Sequence, residues 1–453
     1  MARTAKKEKA LTPEEKLAQA LVPDVEQPYW LPENWCWVWH NSILDISGGS
    51  QPDKSLFIPE PKAGYTQLYQ TRDYGEHPIP VFIPDKYATK TTVEGDILLA
   101  RYGGSLGKVF KARAGAYNVA LAKVITLSKG AINNELLFYY YLSHFYQDFC
   151  VKAAYGRSAQ AGFNRADLAG LMFPLPPLAE QQRIIDRIES LFVKLDEAKE
   201  KAQAVVDGFE DRRAAILHKA FRGELTAEWR KLNGIGRDTW SIKSVDSICH
   251  SLKYGTAKKS EATGPVVVIR MGNLQQGEID WTDLAFTTDE DDIEKYRLEP
   301  NDVLFNRTNS AALVGKTSIY RGEYTAIYAG YLIKLDYDHN VITGDYLNYA
   351  LNTQDAKEYC NTVKTDGVNQ SNINAKKIGA YRFPVPSKEE QEKIVEILKE
   401  LLEKEKQAKE AAEQVIDQID AMKKSILARA FRGELGTNDP TDESASELLK
   451  RVL

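Results

Sequence analysis

Four glycine-containing loops carry long basic and amide side chains. They span residues 101–108 and 155–165 in the first half of the chain and residues 307–316 and 364–374 in the second. Arginine pairs its donors with guanine, and asparagine or glutamine with adenine, in the DNA major groove, while serine, threonine and lysine contact phosphates. Glycine permits close backbone approach. The loops therefore predict DNA contact, against the alternative that they are plain turns. The candidate DNA-binding residues are Arg101, Lys108, Tyr155, Arg157, Ser158, Gln160, Asn164, Arg165, Arg307, Lys316, Lys364, Asn369, Gln370, Ser371, Asn372 and Asn374.

Motifs for catalysis are incomplete. Residues 310–317 resemble a phosphate-binding loop, but Ser310 stands where the first glycine is needed, and the matching loop at 103–109 differs in length. Asp53, Glu60 and Lys62 loosely resemble a nuclease cluster that the second half lacks. The six histidines have no metal-binding spacing. The sequence predicts a non-catalytic chain with no catalytic residue, cofactor or metal of its own.

Composition sets limits on how DNA could be bound. The 453 residues, 43% hydrophobic and 27% charged, suggest about three globular domains. The net charge is −5, and residues 28–172 carry 14 Lys and Arg against 12 Asp and Glu, while residues 226–382 carry 19 against 21. Binding must therefore depend on local placement of basic groups rather than on bulk charge.

The sequence predicts a cytoplasmic protein. No apolar run reaches the ~18 residues that a membrane helix needs. The charged N-terminus has no apolar stretch behind it, as a secretion signal would have. Cys36, Cys150, Cys249 and Cys360 form no C-x-x-C motif, which argues against a disulfide framework or a zinc site.

An internal repeat decides the architecture. Residues 173–225 match residues 383–435 at 22 of 53 positions without a gap. The shared residues include Phe-Pro-x-Pro, Glu-Gln and Ala-Phe-Arg-Gly-Glu-Leu. The preceding segments match more loosely, at 35–43 with 240–248 and at 95–101 with 301–307. This pattern predicts one scaffold that carries two divergent sets of recognition loops.

The matched stretches predict long helices. Apolar residues recur with the alternating spacing of a heptad, so each stretch of about 45 residues gives a rod of roughly 65 Å. The exposed apolar stripe of one rod requires a partner, and the other copy supplies it in an intramolecular antiparallel coiled coil. A generic coiled-coil rod would leave the globular segments unexplained. The predicted seam residues are Ile184, Ile188, Leu191, Leu195, Val205, Phe209, Ile216, Ile394, Leu398, Leu401, Val415, Ile419, Met422 and Ile426.

The predicted fold is of the α+β class, with two similar mixed α/β domains joined by the two long helices in a pseudo-twofold repeat. One helix closes each domain, at 135–153 and 345–363, and the aromatic stripe of the first predicts core packing. The predicted boundaries are an N-terminal extension at 1–27, first domain at 28–177, central helix at 178–225, second domain at 226–387, C-terminal helix at 388–435 and tail at 436–453. The extension begins a short helix at Thr12 and is expected near the tail.

Through these residues, the chain resembles the specificity subunit of type I restriction–modification systems. The two repeated helices carry the resemblance, and the tail at 438–449 adds to it. The resemblance implies two target-recognition domains, each of which reads half of a split sequence in double-stranded DNA. It implies that the helices set the gap and dock two methyltransferase subunits, which restriction and translocase subunits join. S-adenosylmethionine, ATP and Mg²⁺ are expected on those partners, with no membrane involved, in a bacterial or archaeal cytoplasm.

Two other functions stay open at this point. A stand-alone DNA-binding regulator would bind a split site without partners, although the acidic balance of the chain counts against it. A coiled-coil assembly scaffold would not contact DNA at all. Exchange of the loops of one domain separates these hypotheses, because only a specificity subunit predicts that half of a methylated motif changes.

Overall fold

The structure, a computed structural model, describes residues 11–155, 162–368 and 370–453. They form two compact units. The first unit runs to Lys201 and includes Val415–Leu453, and the second comprises Ala202–Gln414. Each unit therefore contains part of both repeated helical stretches. No helix among the described residues is long and apolar enough to cross a membrane.

The first unit contains short strands between a few helices. The helices are α1 (Pro13–Ala20), α2 (His40–Ile43), α3 (Asn134–Leu142), α4 (His144–Tyr155) and the start of α5 (Leu178–Asp207). The strands are β1 (Cys36–Trp39), β2 (Leu44–Gly48), β3 (Tyr65–Tyr69), β4 (Phe82–Pro84), β5 (Thr91–Thr92), β6 (Ile97–Ala100), β7 (Val109–Lys111), β8 (Gly115–Tyr117), β9 (Leu121–Thr126) and β10 (Met172–Leu175).

The second unit repeats this plan. Its helices are α6 (Phe209–Phe221), α7 (Ala227–Leu232), α8 (Val245–Ile248), α9 (Glu290–Tyr296), α10 (Gly344–Leu351), α11 (Gln354–Val363), α12 (Ala375–Gly379) and the start of α13 (Lys388–Ala430). Its strands are β11 (Ser241–Ser244), β12 (Cys249–Tyr254), β13 (Val266–Ile269), β14 (Leu274–Gln275), β15 (Glu278–Ile279), β16 (Phe286–Thr287), β17 (Val303–Asn306), β18 (Thr308–Asn309), β19 (Thr317–Ile319), β20 (Ala326–Tyr328), β21 (Leu332–Tyr337), β22 (Thr365–Asp366), β23 (Ser371–Asn372) and β24 (Arg382–Val385). Helix α14 (Ala445–Val452) closes the chain and belongs to the first unit.

Sheet topology confirms that the two units share one fold. An antiparallel sheet has the order β2-β9-β6-β7 in the first unit and β12-β21-β17-β19 in the second. Beside it, β3 pairs in parallel with β8, as β13 does with β20. A two-stranded ribbon joins β1 to β10 and β11 to β24. The predicted α+β class and internal repeat are therefore correct.

The repeated Phe-Pro-x-Pro segment forms the second strand of each ribbon. Phe173 lies opposite Val38 in the first unit, and Phe383 lies opposite Lys243 in the second. Both phenylalanines are buried. Proline is tolerated here because a two-stranded ribbon leaves one edge of each strand free of ladder hydrogen bonds.

The repeated Glu-Gln pair anchors the first turn of each long helix. In the first unit Glu180 is fully buried and accepts hydrogen bonds from Trp35 Nε1 at 2.6 Å, Thr437 Oγ1 at 3.0 Å and Asn438 Nδ2 at 2.8 Å. Gln181 donates to the Ala131 carbonyl at 2.8 Å. The pair therefore fixes α5 both to the globular part and to the segment that follows α13.

The second unit repeats this arrangement at Glu390. Its carboxylate accepts from Trp240 Nε1 at 2.9 Å and Thr226 Oγ1 at 2.6 Å, and it forms an ion pair with the buried Arg230. Gln391 donates to the Val341 carbonyl at 3.0 Å. A buried charge is tolerated only when it is paired and hydrogen-bonded, and every partner here comes from a distant part of the sequence.

The two helical stretches run antiparallel within each unit. In the first unit Asp196 pairs with Lys423 and Lys199 with Asp420, so the residue numbers rise on one helix as they fall on the other. In the second unit Arg212 Nε lies 2.6 Å from Glu405, and Lys409 lies over the ring of Phe209. The predicted antiparallel coiled coil is confirmed.

The buried stripe differs in part from the predicted seam. Ile184, Ile188, Ile394, Leu398 and Ile419 are buried, as is Phe209. The assignment of Val415 and Met422 to the seam is wrong, because they are 40% and 49% exposed, whereas their neighbours Ile416 and Lys423 are partly buried. Likewise Leu217 and Leu427 are more deeply buried than the predicted Ile216 and Ile426. The predicted Leu191, Leu195, Val205 and Leu401 are partly buried. A straight helix drifts by ~20° per heptad from a strict 3.5-residue repeat, so the stripe moves to the next residue.

Three predicted helices are interrupted. The first rod breaks at Gly208, where a Cβ atom would lie 2.6 Å from the guanidinium of Arg212. The predicted helices at 135–153 and 345–363 are each two helices, broken at Ser143 and at Thr353. Both hydroxyls bond the carbonyl three residues earlier, and Thr353 also caps α11. Side-chain hydroxyls that compete for backbone groups in this way end helices.

The aromatic segment of α3 and α4 belongs to the core of the first unit. Tyr140 and Tyr141 are fully buried, and Tyr140 packs against Phe173 and Phe431. In the same unit α1 begins with a capping box between Thr12 and Glu15, and Glu14 pairs with Lys450 of α14 at 2.9 Å. The expected proximity of the N-terminal helix and the C-terminal tail is therefore confirmed.

Replacement of Arg230 by alanine is expected to destabilise the second unit by about 3–5 kcal/mol, because it leaves the Glu390 carboxylate buried without its cation. Urea unfolding followed by tryptophan fluorescence measures this cost. Lys231→Ala is the matched control, since Lys231 is exposed and should change stability by no more than ~0.5 kcal/mol. Equal stability of the two variants would contradict the anchoring role of Glu390.

Candidate nucleic-acid interface

Loops between neighbouring strands carry the first set of predicted residues. Residues 101–108 connect β6 to β7, and residues 307–316 lie between β17 and β19, with β18 among them. Both pairs of strands are adjacent in the equivalent antiparallel sheets. The fold therefore presents the two loops from the same position of the two units.

A Gly-Lys turn closes each of these loops against a cysteine. Gly107 and Gly315 have positive φ angles, and a Cβ atom on Gly315 would lie 2.9 Å from Cys360 Sγ. A Cβ atom on Gly107 would likewise lie 3.3 Å from Cys150 Cβ. A side chain at either glycine would be strained and crowded. The cysteines and glycines that match between the repeats therefore share a packing role.

The lysines of these turns lead into strands β7 and β19, not into helices. A phosphate-binding loop requires a helix whose N-terminus faces the phosphates, so the resemblance of residues 310–317 to one is coincidental. Lys108 is exposed, whereas Lys316 Nζ donates to Gln275 Oε1 at 3.0 Å. Burial lowers the pKa of Lys316 below its ordinary value.

Two predicted base-reading residues stabilise the local backbone, one as a helix cap and one in a turn. Asn374 Oδ1 accepts the backbone N–H of Lys377 at 2.9 Å and so caps α12. Asn164 Oδ1 accepts the N–H of Ala166 at 2.8 Å at the equivalent turn. Asparagine is among the best residues for satisfying free N–H groups at a helix start. Both side chains are therefore committed to local structure.

Other predicted residues of the second loops hold these loops together. Ser371 bonds Asp366, Asn372 Nδ2 donates to Thr308 Oγ1 at 2.8 Å, and Lys364 Nζ donates to the Ala311 carbonyl at 3.0 Å. Arg165 pairs with Asp45 at 2.6 Å but stays 75% exposed, and Gln370 is exposed. Arg157, Ser158, Gln160, Asn369 and the side chain of Tyr155 lie outside the described residues.

Arg101 lies directly after β6. Its N–H donates to the Ala120 carbonyl at 2.9 Å, and its carbonyl accepts the N–H of Phe163 at 3.3 Å. The guanidinium carbon lies 4.8 Å from the ring centroid of Tyr102, and Nη2 donates to the Val119 carbonyl at 3.3 Å. The Nε donor is buried and has no partner among the described residues.

Arg307 occupies the same place after β17. Its N–H donates to the Tyr331 carbonyl at 3.0 Å, and its carbonyl accepts the N–H of Ile373 at 2.8 Å. The guanidinium carbon lies 4.8 Å from the ring centroid of Tyr254, and Nη1 donates to the Gly330 carbonyl at 3.3 Å. Here too Nε is buried without a partner among the described residues. The structure thus places two predicted residues in equivalent surroundings.

A basic cleft of about 650 Å³ adjoins Arg307 in the second unit. Lys258 donates to Asp289 at 2.6 Å, and this bond raises the pKa of Lys258 above its ordinary value. Sequence reasoning missed the other basic residues here, although Lys258, Lys259 and Ser260 follow Gly255 in the same glycine-basic pattern as the predicted loops. Residues lining the cleft include Lys258, Lys259, Ser260, Arg270, Arg307, Tyr331 and Asn372.

Among the described residues, no group of three or more His, Cys, Asp or Glu side chains is placed to hold a metal ion. Asp53, one of the carboxylates that loosely resemble a nuclease cluster, instead accepts the N–H of Ser55 at 2.8 Å and shapes a turn.

Comparison with known families identifies the two units. A model of the type I restriction modification DNA specificity domain matches the chain twice, over residues 32–205 and 237–416. The chain belongs to this family. The two matches begin shortly before Trp35 and Trp240, and each ends within a long helix. The type I specificity family therefore accounts for both repeats.

Several known proteins are similar to this type I specificity chain. The chain is 24% identical to the EcoKI specificity subunit of Escherichia coli K12, over 89% of this chain and 90% of that protein. It is 26% identical to the StySPI specificity subunit of Salmonella potsdam, over 65% of each chain. The HsdS subunit of Thermoanaerobacter tengcongensis aligns in structure with a TM-score of 0.57 and 18% identity, over 90% of this chain and all of that one. A chain from a solved type I R-M system assembly aligns with a TM-score of 0.70 and 18% identity, over the same shares. These solved structures confirm the fold.

Replacement of Asn374 by alanine is expected to cost about 1 kcal/mol of stability and to leave DNA specificity unchanged, because the side chain caps α12. Asn374→Asp keeps the cap acceptor and should retain wild-type stability. Thermal unfolding and a binding assay with base-substituted duplexes measure the two properties. A changed base preference in the aspartate variant at normal stability would show instead that Asn374 reads DNA.

Proposed function

We propose that this chain is the DNA specificity subunit of a type I restriction–modification complex. Each unit reads one half of a split target in double-stranded DNA, and the helix pair sets the gap between the halves. The observation that carries the proposal is the presence of two equivalent units, each matched by the DNA specificity domain, on antiparallel helices of one chain. A scaffold that never contacts DNA is not favoured, because both globular segments match that domain.

In this proposal the chain itself is non-catalytic. Two methyltransferase subunits dock on the helices, and restriction and translocase subunits join them. S-adenosylmethionine, ATP and Mg²⁺ bind to those partners, which carry out methylation and cleavage in the cytoplasm. The lack of bulk positive charge is consistent with this assembly, since partner subunits can supply part of the phosphate neutralisation.

A base-resolution methylome of the host, with and without the gene, tests the proposal. We expect loss of adenine methylation at one split motif with a fixed gap when the gene is deleted. Reintroduction of the intact gene is the control and should restore that motif. An unchanged methylome, with the gene and its methyltransferase partner both expressed, would refute the specificity role and favour a regulator.

Paired removal of residues 196–202 and 417–423 tests the spacer role. The excised segments contain both partners of the Asp196–Lys423 and Lys199–Asp420 pairs, so no charge is left unpaired. Seven helical residues span about 10.5 Å, so the gap should shorten by about three base pairs of ~3.4 Å each. The two half-motifs should stay the same.

The readout of the paired deletion is again the methylated motif. Loss of all methylation could follow from misfolding, so circular dichroism must first show native helix content. A folded deletion variant that methylates the original motif with its original gap would contradict the spacer role.

A further inference from the structure

The two units keep an arginine stacked on a tyrosine, but they take the tyrosine from different positions. Arg101 stacks on Tyr102, its neighbour in sequence, whereas Arg307 stacks on Tyr254 at the end of β12. The position that matches Tyr254 in the first unit is Gly48, at the end of β2, where a Cβ atom would lie 2.9 Å from Arg101 Nη1. The residue that matches Tyr102 in the second unit is Thr308.

Gly49 and Gly255, which follow Gly48 and Tyr254 in sequence, establish that the latter two positions are equivalent. A Cβ atom on Gly49 would lie 2.1 Å from the carbonyl oxygen of Asn118, and one on Gly255 would lie 2.2 Å from that of Tyr328. Both glycines therefore occupy the same tight crossing beside the parallel strand pair. Gly48 and Tyr254 immediately precede them and so are structurally equivalent.

The different position of the tyrosine in the two units is accompanied by compensating changes in the size of its neighbours. In the first unit Tyr102 packs on Gly162, where a Cβ atom would lie 2.3 Å from the tyrosine ring. In the second unit Thr308 faces Asn372, and the amide and hydroxyl are bonded at 2.8 Å. Two different sets of residues thus place an arginine guanidinium against a tyrosine ring at the same point of both units.

Each arginine gives some of its donors to the protein, since Arg101 Nη2 donates to Tyr102 Oη at 2.8 Å and Arg307 Nη2 donates to Asn372 Oδ1 at 3.4 Å, but neither positive charge is neutralised there. Neither forms an ion pair with a described carboxylate, although Arg212, Arg230 and Arg321 all do. Both side chains are partly exposed, so an anion can reach each guanidinium from solvent, although the Nε atoms themselves are buried. A guanidinium held against a ring loses little further freedom when its exposed donors bind an anion, and a phosphate is an anion that it binds well.

We propose that Arg101 and Arg307 bind DNA phosphates and place each unit on its half-site without reading bases. This inference rests on the proposed function. Groups that read bases should differ between units that recognise different half-sequences, whereas groups that bind the backbone should be common to both. The stacked arginine is common to both units, while the residues around it differ.

The test uses the assembled complex with its methyltransferase partners and measures duplex binding across a salt series. Arg101→Gln and Arg307→Gln should each weaken binding about ten- to one-hundredfold and lower the slope of log K against log salt by about 0.9. The double variant should lower the slope by about 1.8. The methylated motif should keep every base at both halves.

Two further variants keep the test decisive. Arg101→Lys retains the charge and should keep the wild-type salt slope, even where loss of stacking reduces stability. Arg297→Gln removes the same charge from a 60% exposed site ahead of β17, at the opposite end of that strand from Arg307, and should change neither slope nor motif. Melting temperatures identify any variant that fails to fold.

Three results would overturn the proposal. A changed base preference at one half-site would make the arginine a base reader. An unchanged affinity and slope in the glutamine variants would make it structural, as would an Arg101→Lys slope equal to that of Arg101→Gln. If the wild-type complex methylates no split motif, the proposed function itself is refuted. If it does methylate one and the arginine variants give any of the three results above, only the phosphate-binding role of Arg101 and Arg307 is refuted.

Discussion

The fold depends on a buried carboxylate in the first turn of each long helix. Glu180 and Glu390 are fully buried, so each requires hydrogen-bond donors that the rest of its unit must supply. A tryptophan indole from the start of the unit provides one donor in each case, through Trp35 and Trp240. Other donors come from the chain that follows a repeated helix. Each unit can therefore bury its glutamate only when segments distant in sequence meet.

Because of this requirement, the segment that follows each repeated helix packs at the start of the other repeated helix. Thr226, which follows α6, is held at the start of α13 in the second unit, and Thr437, which follows α13, is held at the start of α5 in the first. Antiparallel helices make this possible, because the end of one lies beside the start of the other. Each compact unit consequently contains residues from both sequence repeats, and a boundary drawn along the chain does not describe it.

The constant offset of 210 residues revealed the repeated Glu-Gln pair. Heptad spacing in the same stretches predicted two long helices in an antiparallel coiled coil, although not the break at Gly208. Composition could not decide what Asn164 and Asn374 do. A loop asparagine can read adenine, cap a helix as Asn374 does, or hold a turn as Asn164 does, and the difference lies in the backbone conformation around it. The seam near Val415 was missed for a different reason, since a heptad template ignores the drift of a straight helix.

The stacked arginines could not be found by any single alignment offset. Arg101 matches Arg307 at an offset of 206, and their tyrosine partners do not match each other at all. Only the folded frame shows that each loop is fixed at two points, at the arginine and at the Gly-Lys turn. Gly107 lies six positions after Arg101, whereas Gly315 lies eight positions after Arg307. Differences in length and composition are therefore confined between two fixed points. Under the function and the anchoring role that we propose, a loop can then change what it reads while the unit keeps its place on the DNA.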